Sequence, residues 1–161
     1  RYAIYLPYYL NVTVMKATKI KYGYVEWLSA QEMHEASMRW MSELTFARDE
    51  QLFLNDLVRT YTIQLTDAKI FDESKEVIDA ILHAEKDVVV LMKKVQAHEN
   101  RLEIMVNDVD ELKMEKAYIE THWELLTQIE KYLSEYRELK KRLFKLVAQV
   151  MKEQKQKRLL G

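Results

Sequence analysis

Residues 77–105, VIDAILHAEKDVVVLMKKVQAHENRLEIM, carry two interleaved apolar registers with a spacing of seven. Ile81, Val88, Val95 and Leu102 form one, and Val77, Ala84, Leu91, His98 and Met105 form the other. Side chains seven apart lie on one stripe of an α-helix, and two adjacent stripes make the seam of a coiled coil. The stretch therefore reads as a long helix that buries one face. Its surroundings agree, because no glycine or proline occurs anywhere in residues 24–160. Those two residues together average roughly a tenth of a sequence, and folds with many tight turns depend on them. The fold class is all-α.

Working outward, the clearest helix start is Ser29-Ala30-Gln31-Glu32. It is a capping box, in which the Ser29 hydroxyl accepts from a first-turn amide and Glu32 reaches back to the cap. Leu28 and Met33 occupy the two staple positions. Met33, Trp40, Leu44, Ala47, Leu54, Leu57, Val58 and Tyr61 then recur at helical spacing, which carries this helix to about residue 62. Thr66-Asp67-Ala68 is the expected bend, with Asp72 or Ser74 capping the second helix over about 74–107.

Asn107-Asp108-Val109-Asp110 offers the next break, with Asp108 and Glu111 repeating the capping-box spacing. The third helix, about 109–157, runs on Ile119, His122, Leu126, Ile129, Leu133, Tyr136, Leu143, Val147 and Val150. Short connections make neighbouring helices antiparallel. The expected architecture is three long antiparallel helices in an up-down-up, coiled-coil-like bundle, with the third helix overhanging. The competing one keeps the last two helices as a single rod that must dimerise to bury its seam.

Residues 29–161 form one bundle domain on this reading, and residues 1–28 an extended N-terminal arm. The first 14 residues differ in kind from the rest, with four tyrosines, Pro7 and one charge, and Met15 opens a segment that looks like an ordinary bacterial start. One expectation is that 1–14 lies upstream of a native start at Met15. The other is an apolar arm that packs on the bundle or on a second copy.

The chain has 161 residues, 25 Lys+Arg against 26 Asp+Glu, and no cysteine. A formal charge of −1 gives no field that gathers nucleic acid or an anionic membrane. The missing cysteines exclude disulfides, thiolate nucleophiles and Cys-based zinc sites, and fit a reducing, cytoplasmic setting. No apolar run reaches the roughly 20 residues of a membrane helix. There is no glycine-rich phosphate loop and no Gly-x-Ser-x-Gly, so no catalytic residue and no cofactor is assigned.

The residues that break the apolar pattern are seam histidines. With the last turn centred near residue 110, His98 faces His122, and Glu43 of the first helix comes near the same level, as do His34 and Glu35. Imidazoles with a carboxylate are ligands for zinc, iron or manganese, which makes His98, His122 and Glu43 the candidate metal set. The plainer reading is a pair of hydrogen-bonded core histidines. No histidine has Glu three residues earlier, so the ligand pair of ferritin-like di-iron bundles is missing. His83 with Asp79 and Asp87 reads as an exposed charge pairing. Glu43 and Glu50 are expected to pair with Arg39 or Arg48, and Trp40, Phe46, Phe53 and Trp123 to fill the core.

Residues 40–50, WMSELTFARDE, together with Glu115-Lys116-Ala117-Tyr118 and the tail at 151–160, MKEQKQKRLL, resemble uncharacterised small all-helical proteins of flavobacteria-like bacteria. The resemblance covers roughly residues 15–161. It implies a cytoplasmic bacterial helical protein and transfers no catalytic residue. The function expected is a non-enzymatic interaction or scaffold protein with a protein partner or a second copy, and the alternative is a metal-binding bundle.

Overall fold

The computed structural model describes residues 29–106 and 111–160, and the side chains of these except 104–106 and 111–117. All regular structure among them is α-helix: α1 (Ala30–Thr60), α2 (Thr62–Leu65), α3 (Phe71–Val106) and α4 (Glu111–Leu160). The N-terminal arm, Leu28 of the staple and the break at 107–110 lie outside the described residues.

The capping box forms as its spacing predicts. Glu32 N–H donates to Ser29 Oγ at 3.2 Å, and Ser29 N–H donates to Glu32 Oε2 at 2.8 Å. Both amides would otherwise lack a partner within the helix, which is why such a box is worth about 1 kcal/mol. At its other end α1 stops two residues earlier than expected. Thr60 Oγ1 donates to the Asp56 carbonyl and Thr62 Oγ1 to the Val58 carbonyl. Hydroxyls that bond back to the preceding turn compete with the backbone ladder and bend it. Tyr61, at φ −107° and ψ 16°, is the resulting joint between α1 and α2.

The bend expected at Thr66-Asp67-Ala68 is present, but its capping differs. Asp67 Oδ1 accepts from Lys69 N–H at 3.0 Å, and the Asp67 carbonyl accepts from Ile70 N–H. The Ile70 carbonyl then accepts from Ser74 N–H at 2.9 Å, so α3 begins at Phe71. Asp72 and Ser74 thus lie inside the first turn, and Ser74 is buried.

α3 packs along both α1 and α4, and α2 rests on α4. Val77, Ile81, Val88, Val95 and Leu102 of the seven-residue registers are all at most 1% exposed. Leu44 and Leu54 from α1, and Leu143, Leu146 and Val147 from α4, share one core cluster with the first four, while Leu102 packs with Met33 and Ile119 in a second. Each such aliphatic side chain contributes about 1.5–3 kcal/mol by leaving water. Between α3 and α4 the polar side-chain pairs include Glu76 with Arg142, Lys94 with Gln128 and His98 with His122. Numbers rise on one helix as they fall on the other. α1 meets α4 through long side chains: Trp40 against His122, Gln51 against Tyr132, and Glu50 against Lys140. Beyond Val150 every residue of α4 is exposed except the half-buried Gln154.

Two expectations about α1 fail. Phe46 and Phe53 are 68% and 56% exposed and fill no core. Their positions lie on the far side of the helix from Met33, Trp40, Leu44 and Leu54. Glu50 pairs with neither Arg39 nor Arg48. It takes Lys140 of α4 at 2.6 Å, while Arg48 takes Asp49. Trp40 is buried as expected, and Trp123 is half-buried.

Candidate functional site

The last complete turns of α3 and the first of α4 bring His98 and His122 together. His98 continues the Val77-Ala84-Leu91 register, so its position on the buried stripe follows from the same spacing that buries those three. His98 Nε2 lies 3.1 Å from His122 Nδ1, and the residues are 2% and 3% exposed. The Trp40 ring packs on His122, with centroids 4.4 Å apart at 32°. Tyr118 flanks His98 at 6.4 Å. Counting helical turns on either side of the break predicts this meeting.

Burial disfavours the charged form of both rings. It lowers the His98 pKa, helped by the nearby Arg101 charge. It lowers that of His122 to about 4, with His98 adding to the effect. Both imidazoles are therefore neutral at pH 7. One ring donates and the other accepts, so only one proton lies between them. His98 Nδ1 is then left buried without a hydrogen-bond partner, as is Trp123 Nε1 close by in the chain. The pair is an uncharged, nearly dry donor–acceptor unit that takes up a proton only under acid.

The remaining candidates scatter. Glu43 is exposed, and among the described residues no hydrogen bond or ion pair joins it to His98 or His122. His34 Nδ1 stands 3.6 Å from Glu99 in a partly exposed pairing of its own. His83 bonds the Asp79 backbone carbonyl at 2.7 Å rather than either carboxylate. Among the described residues no group of three or more His, Cys, Asp or Glu side chains is arranged to hold a metal ion.

A second buried polar layer was not foreseen. Tyr132 O–H donates to the Ala84 carbonyl at 3.1 Å and accepts from Gln51 Nε2 at 3.2 Å. Tyr136 O–H donates to the Ala47 carbonyl at 3.3 Å, and its ring stacks on that of Tyr132 at 5.8 Å. Burial raises both phenol pKa values, that of Tyr132 to about 12. The signal was available: Leu125, Tyr132, Leu139 and Leu146 recur at sevens, as do Leu44, Gln51 and Val58. On the outer side of the two tyrosines, a groove of about 630 Å³ runs between α3 and α4 past Asp87, Glu138 and Arg142. Arg142 is already bound to Glu76 at 2.8 Å.

No helix among the described residues is long and apolar enough to cross a membrane. Comparison with protein-family models, with curated proteins and with solved structures found no match.

Proposed function

We propose that the chain is a non-enzymatic helical interaction module of the cytoplasm, an up-down-up bundle that associates with a protein partner through its surface. The order of the cross-helix pairs supports the path of the bundle, and the seven-residue registers support its coiled-coil character. One observation carries the functional reading. All four phenylalanines stand uncovered, and three of them lie within α1 and α4, away from the helix ends: Phe46 at 68%, Phe53 at 56% and Phe144 at 42% exposure, while Phe71, at 44%, opens α3. At about 200 Å² per aromatic ring system these three offer on the order of 300 Å² of apolar surface, the size of patch that often marks an interface.

The test separates packing from association. Replacing Phe46, Phe53 and Phe144 by serine should leave the urea unfolding free energy of the isolated chain within about 0.5 kcal/mol of wild type per substitution, yet abolish association seen by sedimentation velocity. A large loss of stability with no change in association would assign the rings to folding and reject the reading.

A second reading, the metal-binding bundle, is favoured by the His98–His122 spacing. Two nitrogens 3.1 Å apart are close to the roughly 3.3 Å that separates two ligands of a tetrahedral ion with bonds of about 2.0 Å. Its carboxylate would have to come from Glu43 on the solvent side. Elemental analysis of untagged protein is the check, and sub-stoichiometric zinc, iron and manganese would end this alternative.

A further inference from the structure

We propose that the end of the bundle holding Met33, Leu102 and Ile119 opens as a unit while the rest stays folded, and that a polar layer of Ser37, His98 and His122 divides the two. The buried apolar side chains form two clusters rather than one. The larger extends from Trp40, Val95 and Leu125 to Val150, and the smaller is Met33, Leu102 and Ile119, with Tyr118 and Trp123 packed against it.

On each long helix a buried polar residue stands between the clusters. α1 runs Met33, Ser37, Trp40; α3 runs Leu102, His98, Val95; α4 runs Ile119, His122, Leu125. Spacings of three and four keep each trio on one stripe. Trp40 packs on His122, and Met33 shares its cluster with Leu102 and Ile119, which sets Ser37 at the level of the histidines. The three polar residues thus form one layer across the bundle.

Parts of a protein unfold together when buried contacts run between them without a break, and separately when they do not. Here the apolar contacts stop at the layer. Ser37 Oγ donates to the Met33 carbonyl of its own helix at 2.9 Å, so its hydrogen bond holds no second helix. The larger side is also tied by bonds between helices: Tyr132 to Ala84, Tyr136 to Ala47, Glu50 to Lys140 and Glu76 to Arg142. On the smaller side the His34–Glu99 pair is 3.6 Å long and partly exposed, a kind of contact that contributes little. His98 Nδ1 and Trp123 Nε1 are buried there with no hydrogen-bond partner. Such atoms carry a desolvation cost that water relieves when the end opens. Opening uncovers Met33, Leu102 and Ile119, an apolar face that the closed bundle hides.

The chain has no cysteine, so a single introduced thiol reports opening at its own position. Met33→Cys and Leu102→Cys report on the smaller cluster, Val88→Cys and Leu143→Cys on the larger, with circular dichroism confirming that each full-length variant stays helical. Each labelling rate is referred to the urea stability of its own variant, so that a destabilised chain does not pass for an open end. At neutral pH, with a chelator present so that no ion bridges the histidines, the first two thiols should react about tenfold faster than the second two, or more. Low urea should speed the second pair more than the first, because opening one end exposes less surface than unfolding the whole chain. In a His98→Leu/His122→Leu background the clusters become continuous, and all four thiols should react at rates within about twofold of one another. Equal rates with the native layer overturn the proposal, since the chain then opens only as a whole. A gap of about tenfold that persists with leucine in the layer assigns the opening to fraying of helix ends and overturns the role of Ser37, His98 and His122.

Discussion

The two buried polar layers of the bundle use the same positions in opposite ways. In the tyrosine layer each phenol reaches across to a backbone carbonyl on another helix, Tyr132 to Ala84 and Tyr136 to Ala47. Those carbonyls are fixed by their own helices, so the bonds hold α4 in register against α1 and α3. In the histidine layer the bond seen among the described residues joins the two rings to each other, and His98 Nδ1 is left over. A polar group satisfied by a fixed backbone partner serves as a register key, whereas one satisfied by a titratable partner is conditional on pH. The layers should therefore fail under different insults.

The largest difference is expected from truncation. Tyr132→Ala removes a buried ring and both of its hydrogen bonds, and should cost about 3–5 kcal/mol in urea unfolding. An effect below 1 kcal/mol would show that this layer fixes nothing. Next comes pH, where the two layers act on opposite sides. The folded His122 pKa of about 4 lies below the unfolded value of about 6.5. Its contribution is complete above pH 6.5 and is lost as pH falls toward 4, because the unfolded chain takes up protons first. At about 1.4 kcal/mol per unit the loss approaches about 3 kcal/mol.

Tyr132 reverses the sign. Its folded pKa of about 12 lies above the unfolded value of about 10. Its contribution is complete below pH 10 and is lost as pH rises toward 12, by an amount on the order of 3 kcal/mol. Urea midpoints measured from pH 4 to 11 should thus fall at both ends. A curve that stays level from pH 6.5 to 4 would contradict the neutral, buried histidine pair.

Smaller effects sharpen the comparison. Tyr132→Phe strands the Gln51 amide and should cost about 1–3 kcal/mol, part of which Gln51→Leu should restore in the double variant. His98→Leu/His122→Leu is expected to raise stability at pH 7 by about 1 kcal/mol, since a buried polar pair commonly gives way to packed hydrophobic residues without loss. It should also abolish the acidic fall. A destabilised double variant would argue that the pair has a ligand or partner worth keeping.

Much of this was legible in the chain itself. The capping box at Ser29 and Glu32, the bend at Thr66-Asp67-Ala68 and the burial of the α3 registers all depend on residues within a few turns of each other. The meeting of His98 with His122 was also reachable, because two antiparallel helices separated by only four residues of chain fix each other's register by counting. The errors came where that counting loses its anchor. Phe46 and Phe53 have the apolarity of core residues, and their spacing of seven is as regular as the core's. Glu50 had acceptable partners on its own helix and took one 90 positions away.

Sequence alone determined that this protein is helical, where its first described helix begins, and which stripe of α3 is buried. These are local properties, set by a repeat of 3.6 residues per turn and by end groups within reach of a cap. Only the tertiary structure decided that the second apolar stripe of α1 is left out of the core, that Tyr132 and Gln51 span the interior, and that Phe46, Phe53 and Phe144 stay in water. A helix can carry two equally periodic stripes. Which one is buried depends on where the neighbouring axes lie, and that position is not written in either helix by itself.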